Sequence, residues 1–198
     1  MNRVKNVLLI GAARSGKSIF SEKMSKEMGY THIIMDSIIE TFYETFPEIG
    51  IKHDESNNPV FNKFLKSYLK NLFKYGFNNI IDMEILSPEV VSEIIDKDET
   101  EVIYFGYPSI SVEDKFVQIR KHDTEFDWTI NLNDIELKEL IIKKIELSKQ
   151  VQKEANKYDI TYIDTSYNRE ITFDNMIKQF KYENLLNRSH ESFNKYKR

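Results

Sequence analysis

The sequence predicts a three-layer α/β fold, a parallel sheet of five strands covered by helices on both sides. Two observations carry the expectation. Five short, mostly apolar runs alternate with longer stretches of helical periodicity, the pattern of strand and crossover helix. Residues 11–18 also place two glycines, a lysine and a serine where the first run gives way to the first helical stretch.

Each element has its own signal. Residues 4–10 (VKNVLLI) are a short apolar run that suits a strand buried on both faces. From residue 17 to 28, Ile19, Phe20, Met24 and Met28 fall at helical spacing, and Gly29 is a C-terminal stop. Residues 31–35 (THIIM) form the second strand, and Ser37 with Glu40 has the S-x-x-E spacing that opens a helix. Residues 48–58 have no clear period and read as a loop. Phe61, Phe64, Leu65, Tyr68, Leu69, Leu72 and Phe73 lie on one helical stripe that Gly76 ends. Residues 79–83 (NIIDM) give the third strand, and Ser87 with Pro88 supplies the cap and first position of a helix to about residue 95. Residues 101–105 (EVIYF) are the fourth strand, stopped by Gly106 and Pro108. Helices are expected over 111–122 and, after a loop around Trp128, over 134–157. Residues 160–163 give the fifth strand, and a last helix runs from about 173 to 186. No repeat or low-complexity segment interrupts the 198 residues, so the expectation is a single domain, 1–198.

Composition excludes several classes of function. Hydrophobic residues make up 40%, which allows a core and rules out disorder over most of the chain. The absence of cysteine removes disulfides and thiolate chemistry. A formal net charge of −4, with lysines interleaved among glutamates, argues against a nucleic-acid surface. No run approaches 18 apolar residues and no secretory pattern opens the chain, so neither membrane nor export is expected, and the cytoplasm is the compatible compartment. The histidines are scattered without metal-ligand spacing.

Gly11, Ala12, Ala13, Arg14, Ser15, Gly16, Lys17 and Ser18 satisfy G-x-x-x-x-G-K-[ST] in full. The glycines let the backbone curl so that several N–H groups face a phosphate, and the helix N-terminus adds partial positive charge. The Lys17 ammonium reaches the β- and γ-phosphates, and the Ser18 hydroxyl holds magnesium (Mg2+). The residue pattern thus predicts binding of a nucleoside triphosphate, with ATP and Mg2+ the expected cofactors.

On this motif and on the order of elements, the chain resembles the P-loop small-molecule kinases, the group of nucleoside monophosphate, shikimate and gluconate kinases and chloramphenicol phosphotransferase. The resemblance implies a P-loop NTPase fold with strand order 2-3-1-4-5, nucleotide at the carboxyl edge of the sheet, a substrate-binding helical region over 37–76 and a lid over 107–133. It implies that Asp36, directly after the second strand, orients an acceptor hydroxyl. The alternative is that Asp36 only helps start the following helix. Asp82 resembles the acid of the second nucleotide-binding motif, which holds magnesium through a water; Glu84 would share its face if the strand continued. Both could instead cap the next helix. The lid of such kinases supplies an arginine to the transferring group, which makes Arg120 the lid candidate; the alternative is a solvated helix end.

Six arginines are few for gripping an acceptor phosphate, which favours a hydroxyl acceptor. The expected activity is transfer of the γ-phosphoryl of ATP to a small-molecule acceptor. Two alternatives stay open: a nucleoside monophosphate kinase, and a non-catalytic nucleotide-binding regulatory module. GTPases fit less well, since no N-K-x-D motif is present. The loop A-R-S-G-K-S also resembles that of the adenosylcobinamide kinases, a likeness that fades beyond it.

Overall fold

The structure, a computed structural model, describes residues 6–51, 58–84 and 86–195, with side chains to residue 183. Five strands, β1 (Asn6–Gly11), β2 (Thr31–Ile34), β3 (Asn79–Met83), β4 (Thr100–Gly106) and β5 (Thr161–Asp164), form one all-parallel sheet in the order β2-β3-β1-β4-β5. Residues 4 and 5 of the expected first strand lie outside the described residues. β1 and β3 are buried along their whole length, because helices cover both faces of a parallel sheet.

The alternation of side chains sorts the core into two layers. Val7, Leu9, Ile80, Ile103 and Phe105 point to one face, under α1 (Lys17–Met28) and α7 (Arg169–Lys195), where Phe20, Phe105 and Phe173 meet ring to ring at 5.3–5.4 Å. Leu8, Ile10, Ile81, Met83 and Tyr104 point to the other, under α2 (Met35–Thr45), α3 (Pro59–Tyr75), α4 (Pro88–Ile94) and α6 (Asp134–Lys157). Burying each such large apolar side chain contributes about 1.5–3 kcal/mol. A third cluster, above the carboxyl edge, packs α5 (Val112–His122) on α6 through Ile119, Leu137 and Ile141, with Ala12 and Tyr107 beneath.

Caps follow local chemistry. Ser87 and Ser111 accept from the third backbone N–H of α4 and α5, and Asn133 with Glu136 forms a reciprocal capping box on α6. The S-x-x-E pattern of Ser37 and Glu40 does not cap α2. That helix starts three residues earlier, at Met35 with Ile34 as its cap residue, because buried Met35 and Ile39 fix its apolar face against the sheet, and Asp36 therefore falls in its first turn. Pro47–Ile49 forms a 3-10 turn that overlaps the start of the stretch expected to be a loop, 48–58; residues 52–57 of that stretch lie outside the described residues. No helix among the described residues is long and apolar enough to cross a membrane.

Candidate active site

The chain leaves β1 at Gly11 and enters α1 at Lys17, so residues 11–18 lie at the carboxyl edge in the middle of the sheet. Two glycines are required there by space. A Cβ on Gly11 would overlap the backbone carbonyl of Phe105 on the neighbouring strand, and Gly16 takes φ 97 beneath Arg169 and Phe173. Arg14 also adopts a left-handed conformation, φ 63, which costs a side-chain-bearing residue about 1 kcal/mol or more. The first N–H groups of α1 have no intrahelical partner and face this turn's end. Among the described residues, buried Ser15 Oγ has no hydrogen-bond partner.

Lys17 is buried, and its ammonium donates to the Gly11 carbonyl at 2.9 Å and the Ala12 carbonyl at 3.3 Å. Burial pushes its pKa down, opposed by the negative charges of Glu84, Asp82 and Asp36. Three acids from the ends of two strands therefore act on one lysine. Asp36 is half-buried in the first turn of α2. Asp82 is buried in β3, beside Leu9 of β1 and Ile34 of β2 in register, and its Oδ2 meets His32 Nε2 at 2.7 Å. Glu84 follows the end of β3, so it does not share the strand face of Asp82, and its carboxylate stands 3.5 Å from the Lys144 ammonium.

A cavity of about 450 Å3 opens beside the loop. Arg14, Lys17, Lys115 and Arg169 line it against Glu22 and Asp127, a surplus of positive charge at a helix N-terminus that suits a polyanion. Ser18 is exposed at its edge. A smaller cavity of about 120 Å3 adjoins the other side of Gly11 and Ala12, walled by Glu84, Leu86, Tyr104 and Val151. The described residues of 37–76 wall neither cavity. Among the described residues no cluster of three or more His, Asp or Glu holds a metal by itself. A magnesium ion here would draw on the Ser18 hydroxyl, buried Asp82 and oxygens of a bound phosphate.

The segment 107–133 is fastened to the loop. The Tyr107 hydroxyl donates to the Ala13 carbonyl at 2.9 Å, and Lys115 Nζ donates to the Arg14 carbonyl at 2.8 Å. The Arg14 guanidinium pairs with Asp123 at 2.7 Å and with Asp127. Arg120 faces away from the cavity. It donates to the Thr129 carbonyl at 3.2 Å and the Leu132 carbonyl at 2.6 Å, meets Asp134 at 3.1 Å, and reaches the loop only through Asp123, which lies between it and Arg14. Trp128 is half exposed, whereas Tyr104, Phe105 and Tyr107 are buried core.

His32, Tyr107, Lys115, Asp123, Asp127 and Arg169 reach the site without any sequence signal at the loop itself. His32 illustrates why. It stands 50 residues from Asp82, and only the register of β2 on β3 makes them neighbours.

By sequence, the chain matches no family model and no curated protein. By fold it is similar to a shikimate kinase from Bacteroides thetaiotaomicron, with TM-score 0.57 at 14% identity over 89% of this chain and 98% of that one. A sugar kinase from Janibacter sp. HTCC2649 gives 0.56 at 17% identity over 90% and 95%. The YorR protein of Bacillus subtilis, solved in complex with phosphorylated GDP, gives 0.53 at 20% identity over 91% and 98%. With an all-parallel sheet in the order 2-3-1-4-5 and the loop 11–18 at its carboxyl edge, the chain has the P-loop NTPase α/β fold, which it shares with these solved structures.

Proposed function

We propose that the protein is a small-molecule kinase that transfers the γ-phosphoryl group of ATP to a hydroxyl of a small acceptor. The observation that carries the reading is the convergence on Lys17: a buried ammonium at the end of the phosphate loop, within the field of Glu84, Asp82 and Asp36. Phosphoryl transfer asks mainly for positioning and for charges around the equatorial oxygens, and this arrangement offers both.

In this reading residues 11–18 hold the polyphosphate with backbone N–H groups, and Lys17 exchanges its contacts with the Gly11 and Ala12 carbonyls for the β- and γ-phosphate oxygens. Magnesium, when bound with the nucleotide, neutralises charge between these phosphates. Ser18 and Asp82 are its protein partners, with His32 fixing the Asp82 carboxylate. Asp36 orients the acceptor hydroxyl and accepts its proton as the new P–O bond forms and the bond to the ADP oxygen breaks.

The accounting of cations favours a hydroxyl acceptor over a phosphate. Arg14 is paired with two aspartates and Lys144 faces Glu84, so these cations are already engaged by carboxylates of the chain itself. Residues 107–133 are the proposed cover of the nucleotide, which must exclude water so that the acceptor, not water, takes the phosphoryl group. For Arg120 to act as the lid arginine, its bonds to Thr129, Leu132 and Asp134 have to break on closure.

An acceptor screen read by product mass spectrometry tests the reading. A product heavier by one phosphoryl group, formed by the wild type and slowed at least about a hundredfold by Asp36→Asn, is the expected result. Phosphorylation of nucleoside monophosphates at the rate of the best acceptor would point to a phosphate acceptor instead. Turnover untouched by Asp36→Asn would remove Asp36 from its role.

A further inference from the structure

Helix α5 buries a lysine against the phosphate loop. Lys115 is 1% exposed, and its ammonium donates to the Arg14 carbonyl and to Gln118 Oε1, both at 2.8 Å, over the face of the Tyr107 ring at 4.0 Å. Both acceptors are neutral. Among the described residues no carboxylate pairs with it, and the charges that bear on it, Arg169 from α7 and Arg14 from the loop, are positive. Burying an ammonium among cations is unfavourable unless a counter-charge arrives from elsewhere.

The surroundings indicate where from. Lys115 stands in the wall of the 450 Å3 cavity together with Lys17, Ser18 and Arg169; the other titratable groups there are Glu22, His122 and Asp127, the last already held by Arg14. The carbonyl it holds belongs to the one left-handed non-glycine residue of the loop, and the carbonyl before that is held by Tyr107. Successive carbonyls tied down from outside leave successive N–H groups for an anion.

We propose that Lys115 is a positioning residue of the phosphate loop, fixing the Arg14 carbonyl, and that its unpaired charge is the counter-charge of the nucleotide's phosphates. The inference rests on the nucleotide-binding reading of residues 11–18 and deepens it. Burial, with Arg169 and Arg14 beside it, pushes the Lys115 pKa down to about 7. Above that pH the empty protein holds the amine; a bound polyanion favours the ammonium. Nucleotide binding therefore takes up a proton from solvent at this residue.

Calorimetric titration of the full chain with magnesium and a non-hydrolysable ATP analogue, in buffers of different ionisation enthalpy, measures that proton. At pH 8 the wild type should take up nearly one proton more than Lys115→Met, the nucleotide's own titration cancelling in the difference, and at pH 5.5 the difference should vanish. Lys115→Met should bind about tenfold more weakly or worse, whereas Lys115→Arg, permanently charged, should keep most of the affinity and lose the proton uptake. Equal affinity and equal uptake in wild type and Lys115→Met would overturn this inference alone, as would full uptake in Lys115→Arg. No binding by the wild type would overturn the nucleotide reading, and this inference with it.

Discussion

Replacing Lys115 by Met sets the stability of the empty protein against its affinity for nucleotide. The folded-state pKa of Lys115, about 7, lies below its ordinary value of 10.5, so between these pH values the unfolded chain binds more protons than the folded one. The burial penalty is complete below pH 7 and fades as pH rises towards 10.5. From this shift the penalty is about 4 kcal/mol at pH 7 and about 2 kcal/mol at pH 9. The methionine removes the penalty but leaves the Arg14 carbonyl without its donor, a loss of about 1–3 kcal/mol. Lys115→Met without nucleotide should therefore be more stable than the wild type by about 1–3 kcal/mol at pH 7, and the difference should fall by about 2 kcal/mol by pH 9, to between about +1 and about −1 kcal/mol. Urea denaturation followed by circular dichroism at pH 6.5, 7.5 and 9 measures the difference. A variant less stable than the wild type at pH 7, or a difference that does not change with pH, would refute the argument that Lys115 is buried without a counter-charge.

Two further predictions concern the same loop. Asp127→Asn removes one of the two carboxylates that hold the Arg14 guanidinium, leaving Asp123, and takes a negative charge out of the phosphate cavity, so the nucleotide Kd should fall by about threefold or more; a weaker complex in calorimetry would mean that Asp127 positions Arg14 for the phosphates. Gly16→Ala forces a Cβ against Arg169 Cδ at 2.9 Å and Phe173 Cζ at 3.0 Å at φ 97, and should lower stability by about 1–3 kcal/mol; an unchanged urea midpoint would show that the turn relaxes without strain.

The fold was legible where periodicity and local chemistry agree. Residues 79–83 and 134–157 read as a strand and a helix at the bounds found, because an apolar run between turn signals and a long amphipathic stripe each admit one interpretation. The start of α2 was not legible. Burial of Met35 outweighs the capping pattern at Ser37, a tertiary effect with no trace in local spacing.

The site divides in the same way. Residues 11–18 announce themselves because a phosphate cradle needs its glycines and lysine contiguous in the chain. The groups that complete it come from far away: Lys115 stands 101 residues from Arg14, and Asp127 stands 113. Arg120 shows the converse. A cation at the end of a helix in the right segment can spend its donors on nearby carbonyls, here those of Thr129 and Leu132, and sequence position does not say which way it points.

The most direct test of the account is calorimetric titration of wild type and Lys17→Ala with ATP, with and without magnesium. One-to-one binding that strengthens with magnesium and falls below detection in Lys17→Ala is the predicted outcome. Binding that is indifferent to magnesium and unchanged in Lys17→Ala would contradict it, because the buried ammonium at the end of the phosphate loop would then have no part in holding the nucleotide.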